Sequence, residues 1–405
     1  MTGSAVVTGI GLVNAHGLGT DAVWPETVRG RNGLAAVERF DASRYPARIA
    51  GEVPGFVPEE HIPSRLIPQT DHMTRLALTA AEHALRDAEA DPASLSEFGA
   101  GVVTAATAGG FEFGQRELEK LWSKGPDHVS PYQSFAWFYA VNTGQISIRH
   151  RLKGPAGVVV GDQAGGLDAV AHARRHLRRG LSLMVTGGAD STLCPWAWVA
   201  QLAGDRITRA AEPDRAYLPF DRRARGYAPG EGAAMLVVQR GDGDAPIPRE
   251  PYGEIAGYAA TFDHRTAVGG SAGLRKAIEL ALADASLAPG DIDVVFADGH
   301  AVRRFDDNEA AAIAGVFGAR RVPVTVPKTM VGRLYSAGPV LDLALALLAL
   351  RDGVIPPTIN STPEPDHPLD LVVGEAREKD LGAALVLARG YGGFNSAMVV
   401  KATER

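Results

Sequence analysis

The stretch VVVGDQAGGLDAVAHARRHLRRG, residues 158–180, decides how the chain is read. A β-branched run stops at a small, flexible loop and a helical pattern starts at once, the strand–turn–helix on which many enzymes raise a nucleophile. Gly161, Ala164, Gly165 and Gly166 keep side chains away from position 163. The helix beginning there aims free N–H groups and its positive dipole end at the same point. A Cys or Ser at the tip would be activated as a nucleophile. The residue is Gln163, whose delocalised amide cannot attack and offers only donors and an acceptor. A Gly-rich strand–helix turn also occurs as plain packing, so the turn alone leaves both readings open.

Outward from this turn, strand-like and helix-like runs alternate: AVVTGIGLV (5–13), the helical RLALTAAEHALRDA (75–88), then LSLMVTGGAD (181–190) after the helix that follows Gln163. Such alternation predicts an α/β fold whose sheet is covered by helices. Gly, Asp and Pro cluster in QRGDGDAPIPREP, residues 239–251, which reads as a linker between halves 1–245 and 246–405. Two matches across it suggest an internal duplication. GAAMLVVQ (232–239) is echoed by NSAMVVKA (395–402), and LDAVAHARRHLRRG (167–180) by LDLALALLALRDG (341–353). Both members of the second pair are helices with a basic last turn and a Gly stop.

The 405 residues are 45% hydrophobic and 22% charged, enough to bury a large core. A formal net charge of −6 argues against general nucleic-acid binding. The single Cys and the absence of a visible secretory signal in MTGSAVVTGIG point to a reducing cytoplasm. VLDLALALLAL, 340–350, is too short to span a bilayer and reads as a buried helix, so no membrane partner is expected.

GDQAGGLDA resembles the active-site turn of β-ketoacyl synthases, with Gln163 where their Cys stands. The likeness runs almost end to end: VTGGADS (185–191), PFDRRARGYAPGEGAAMLVV (219–238), VPKTMVG (326–332) and GYGGFNSAMVV (390–400). The resemblance implies the thiolase fold, two βαβαβαββ halves in a five-layer αβαβα sandwich. Family synthases pair the Cys with two His. The positions matching those His are Asp298 in VVFADGHAV and Arg333 in TMVGRLYSAG, while the family's Lys is kept as Lys328. No catalytic residue of the chain's own is therefore expected. His300 replaces the first His only if its loop is shifted, and FDDNEAAAI (305–313) fits without a shift. Cys194, in TLCPWAW, reads as packed core. His172 and His176 have metal-ligand spacing but sit among Arg174, Arg175, Arg178 and Arg179, whose charge opposes a cation. They read as an exposed basic face. The glycine pattern GIGLVNAHGLG (9–19) lacks an acidic ribose partner, and neither a nucleotide nor a metal is expected.

Loss of the Cys and both His resembles the chain length factor, or ketosynthase β, of type II aromatic polyketide synthesis. That implies a heterodimer with a ketosynthase α subunit, joined around GVVVGD (157–162). An acyl carrier protein supplies malonyl units on its phosphopantetheine, and the growing poly-β-ketone enters a tunnel. TAGGFEFGQRELEKLW, 107–122, matches the tunnel-lining segment, which places Phe111, Gly114 and Leu118 on one helical face. Gly114 is expected to leave room for the chain, and Leu118 is smaller than the aromatic of shorter-product relatives. The expected product is nearer a decaketide than an octaketide. SPYQSFAWFYAVNTGQ, 130–145, matches a loop that reaches towards the partner, with a buried core as its alternative. Two rival functions stay open. One is a Gln-type malonyl carrier-protein decarboxylase, in which Gln163 helps to make the primer. The other is a purely structural partner of the ketosynthase.

Overall fold

The computed structural model describes residues 4–403 apart from 244, 265–267 and 269, so one residue of the expected linker, Asp244, lies outside the described residues. The main strands are β1 (Ala5–Asn14), β2 (Ala100–Ala105), β3 (Ala156–Val159), β4 (Leu183–Asp190) and β5 (Gly232–Arg240). After them come β6 (Gly253–Phe262), β7 (Val294–Phe296), β8 (Pro323–Thr325), β9 (Ala383–Arg389) and β10 (Phe394–Lys401). The helices used below are α1 (His72–Asp87), α2 (Phe111–Lys124), α3 (Val141–His150), α4 (Ala164–Arg178), α5 (Pro195–Ala203), α6 (Ser271–Asp284), α7 (Arg303–Phe317) and α8 (Gly338–Asp352).

Both sets of five strands have one spatial order. The first runs β3-β2-β4-β5-β1 and the second β8-β7-β9-β10-β6, so each set reads third, second, fourth, fifth, first. The directions agree as well: β2 is parallel to β3 and β4, and β7 to β8 and β9. The last strand of each set is antiparallel to its neighbours on both sides. The two sets join where β1 meets β6 antiparallel, with Val6 opposite Glu254 and Val7 opposite Gly253.

The layers follow from where apolar surface falls. α1 lies on β1 and β5 with α3 beside it, and α6 lies on β6 and β10 with α7 beside it. Between the sheets, α4 and α8 each touch strands of both sets. α8 is buried from Gly338 to Leu350 and apolar on every face except at Asp342, as a helix with a sheet on each side must be. The result is the five-layer sandwich of the thiolase fold. The halves also share a packing device. A Cβ at Gly9 would lie 2.1 Å from the Ala84 carbonyl oxygen of α1, and one at Gly257 would lie 2.2 Å from that of Ala281 in α6. Glycine on the first strand of each half thus lets an alanine-faced helix sit directly on the sheet.

Candidate functional site

The Gln163 turn stands between β3 and α4. Asp162 takes a left-handed φ of 51°, a conformation Asp tolerates better than most side chains. Its carboxylate accepts the Tyr391 N–H at 2.7 Å. Gln163 stands at the N-terminal boundary of α4, its side chain making no cap hydrogen bond, and is fully buried. A Cβ at Gly166 would lie 2.3 Å from the Ser336 carbonyl oxygen, so glycine lets the first turn of α4 pack under the turn Tyr335–Ala337. Gln163 Nε2 donates to Asp298 Oδ1 at 2.6 Å, while Oε1 finds no partner among the described residues.

The structure brings the three exchanged residues together. Arg333 forks onto Asp298, Nη1 and Nη2 each donating to Oδ2 at 3.1 Å, and Nη2 also donates to the Arg389 carbonyl at 2.9 Å. The Arg389 N–H donates to Asp298 Oδ1 at 3.1 Å, and the guanidinium lies 5.3 Å from the Tyr227 ring centroid. Burial alone would raise the pKa of Asp298, but the charges of Arg333 and Lys328 outweigh it and hold the carboxyl below its usual range. Lys328 Nζ donates to the carbonyls of Ala297 and Asp298 at 2.9 and 3.2 Å and pairs with Asp342 inside α8. Under the loop, Glu309 accepts the N–H groups of Asp298 and Gly299 at 2.8 and 2.9 Å. Burial, followed by the Asp298 charge, raises the pKa of Glu309. Each of these groups is engaged by a neighbour. Gln163 turns its donor onto Asp298, and a guanidinium cannot act as a base.

His300 lies two residues beyond Asp298 on the same loop. Its buried ring packs on Tyr227 and Phe305, with centroids 5.2 and 4.9 Å away, and burial holds its pKa well below the usual value. The cavity beside it, lined by His300, Phe305, Arg389 and the loop 390–395, has a volume of only about 10 Å³. Cys194 is buried, which pushes its thiol pKa up to about 11. One expectation about the basic face of α4 needs correction. Arg174 turns inward, where it pairs with Asp284 and donates to the Ala256 carbonyl, because this flank of α4 packs against the second sheet. No group of residues able to hold a metal occurs among the described residues.

The expected tunnel segment is helical, as α2. Two buried carboxylates anchor its start: Asp71 accepts the Phe113 N–H at 2.8 Å, and Glu231 draws in Arg39, which also pairs with Glu112. Gly114 does not front empty space. A Cβ there would meet the Trp196 ring at 3.2 Å, and the same indole packs edge-on against Phe111 with centroids 4.8 Å apart. Leu118 is 37% exposed and Trp196 46% exposed. Sequence reasoning passed over Trp196 because TLCPWAW drew notice only for its Cys. Tyr132, Trp137 and Phe138, from the aromatic loop, are exposed rather than buried in the core.

Residues 4–243 match the model for the β-ketoacyl synthase N-terminal domain and 252–362 that for the C-terminal domain. The chain belongs to the β-ketoacyl synthase family. It is 56% identical to the actinorhodin polyketide putative β-ketoacyl synthase 2 of Streptomyces coelicolor, over 98% of each chain. It is 54% identical, again over 98% of each chain, to the tetracenomycin polyketide synthase ketoacyl synthase β subunit of Streptomyces glaucescens. Among solved structures it is similar to the ishigamide ketosynthase/chain length factor, with a TM-score of 0.91 and 27% identity over 100% of each chain. A chain from the structure of a type II polyketide synthase acyl carrier protein in complex with its ketosynthase is similar at a TM-score of 0.90 and 25% identity, over 100% of each chain. Within the β-ketoacyl synthase family, this chain groups with the ketosynthase β, or chain length factor, subunits of type II polyketide synthases.

Proposed function

We propose that this chain is the non-condensing, chain-length-setting subunit of a type II polyketide synthase. It pairs with a ketosynthase α subunit that carries the reacting Cys and His residues, and it shapes the tunnel into which the poly-β-ketone grows. The Gln163–Asp298–Arg333 cluster carries this reading. Decarboxylation needs donors free to meet a developing enolate oxygen. Here a Gln163 donor is held by the Asp298 carboxylate, which is itself committed to Arg333, so neither is free to meet such an oxygen.

The tunnel wall is assigned to Phe111, Gly114 and Leu118, with Trp196 laid over the first two. The longer product, nearer a decaketide than an octaketide, then rests on Leu118, because Trp196 takes up the room at Gly114. The acyl carrier protein delivers malonyl units and holds the chain as a thioester on its phosphopantetheine. The cavity beside His300, about 10 Å³ or roughly one water-sized sphere, is too small for that arm. The chain brings no cofactor of its own, works in the cytoplasm, and divides into halves at 245/246.

The test compares carrier-bound products from this chain alone, the ketosynthase alone and the two together. Long poly-β-ketones from the mixture only are expected. Conversion of malonyl to acetyl carrier protein by this chain alone overturns the reading in favour of a primer-forming decarboxylase. An unchanged product ladder in Gly114→Trp and Leu118→Phe leaves it a structural partner only.

A further inference from the structure

Beside Val302 and Arg303, at the start of α7, the surface opens into a cleft of about 730 Å³, within the size range of small-ligand sites. Its walls carry Arg209, Arg215, Arg223, Arg225 and Arg303 against only two carboxylates, in a chain whose net charge is −6. Some of that charge is neutralised: Arg223 binds Asp221 through two nitrogens, and Arg209 faces Asp205 at 3.1 Å. The rest is not. Arg303 reaches Asp307 only at 4.0 Å, Arg225 donates to the carbonyls of Arg222 and Ala224, and Arg215 has no side-chain partner among the described residues. Arg215, Arg225 and Arg303 are all exposed.

Between Asp205 and Ile207 of this cleft, Arg206 belongs to the neighbouring small cavity. Arg206 lies 4.8 Å from the Phe305 ring centroid and 4.5 Å from that of Tyr391, a cation held between two aromatic rings. That cavity, beside His300, has a volume of about 10 Å³. A ligand suited to this shape keeps its charge at the mouth and needs no deep pocket.

We propose that the arginine cleft binds the phosphodiester of a carrier protein's phosphopantetheine arm, docking the carrier on the inactive subunit without admitting its thioester. This rests on the reading that the chain works in a carrier-fed synthase. Guanidinium forks match phosphate oxygens and stay charged at every physiological pH. A second carrier held on the heterodimer raises the local concentration of the next extender.

The experiment titrates the intact heterodimer calorimetrically with holo-carrier protein, apo-carrier protein, coenzyme A and inorganic phosphate, in wild type and in R215A/R225A. Both positions are exposed, so their truncation leaves the fold in place. Holo-carrier is expected to bind a second site that weakens roughly a hundredfold in the variant, about tenfold for each charge-assisted bond lost. Coenzyme A is expected to compete there more weakly than holo-carrier. Apo-carrier binding that site as tightly as holo-carrier overturns the phosphodiester assignment, as does displacement by inorganic phosphate as effective as that by coenzyme A. Coenzyme A binding more tightly than holo-carrier points to the free cofactor and overturns the carrier. A single binding event, indifferent to the substitutions, overturns the site while the heterodimer and its product ladder stand.

Discussion

Arg333, which the sequence resemblance sets at a family His position, is held on two sides, by the Asp298 carboxylate and the Arg389 carbonyl. Removing one member of such a pair leaves the other charged, buried and only partly compensated. Arg333→Ala is expected to cost about 3–5 kcal/mol of stability, and Asp298→Asn/Arg333→Met to recover most of that, as read from urea unfolding midpoints. A single-variant loss under about 1 kcal/mol would mean that Lys328 and the backbone N–H groups suffice for Asp298. The same carboxylate bears on any attempt to restore a nucleophile. In Gln163→Cys the thiol would be fully buried beside an Asp298 charge already compensated by Arg333, and burial disfavours a thiolate and bars reagent. Iodoacetamide should therefore label it no faster than a free cysteine, and rapid labelling at neutral pH would show that the turn opens to solvent. Gln163, Asp298 and Arg333 could be picked out together in the sequence because each sits at a fixed step from a motif. Their mutual bonds could not, since Gln163 and Arg333 lie 135 and 35 residues from Asp298. Read alone, Asp298 was a repelling carboxylate; its compensating charge arrives from another loop.

α2 illustrates what an element shows in sequence and what it hides. Its spacing placed Phe111, Gly114 and Leu118 on one face, but no periodicity relates α2 to α5, so the indole of Trp196 over Gly114 was invisible. Gly114→Ala isolates that contact. The helix gains roughly 0.5–1 kcal/mol from losing a glycine, and the new methyl presses on the Trp196 ring, a side chain free to shift. Thermal unfolding is thus expected to stay level or rise slightly while the product ladder shifts. A ladder identical to wild type would separate this contact from chain length. The anchors of α2 predict a pH response. Burial works to raise the Glu231 pKa, but the His72 ring, Arg39 and the Ser191 hydroxyl outweigh it and bring it to about 2, below the ordinary 4.5. A carboxyl depressed on folding stabilises the fold above its unfolded pKa, and that stability is lost as pH falls from about 4.5 towards 2. The shift is worth about 3 kcal/mol. Wild type should lose that much across this window, and Glu231→Gln should start lower at neutral pH and lose less. Equal acid slopes for the two proteins would remove Glu231 as the anchor.

At the scale of the whole molecule, the duplication was legible as two pairs of matching segments, but the shared strand order was not, because it depends on which strands meet across the sheet. That order leaves β3 at the free edge of the first half, with β2 on one side and no strand on the other among the described residues. Apolar side chains cluster around it: Ile148 on α3 is 75% exposed and Val160, just past β3, is 49% exposed. An uncovered apolar strand edge invites pairing with another chain, and here the sequence resemblance puts the ketosynthase. Val160→Glu tests this in the heterodimer. In the isolated chain the new carboxylate stays in water, so its unfolding midpoint should match wild type. At the joined edge it would be buried without a partner, a cost of several kcal/mol and a loss of roughly 100-fold or more in affinity. Co-purification with the ketosynthase, followed by sedimentation across a dilution series, gives the readout. A variant that holds its partner as tightly as wild type, with its fold intact, would move the interface away from this edge and leave β3 to be covered by something else.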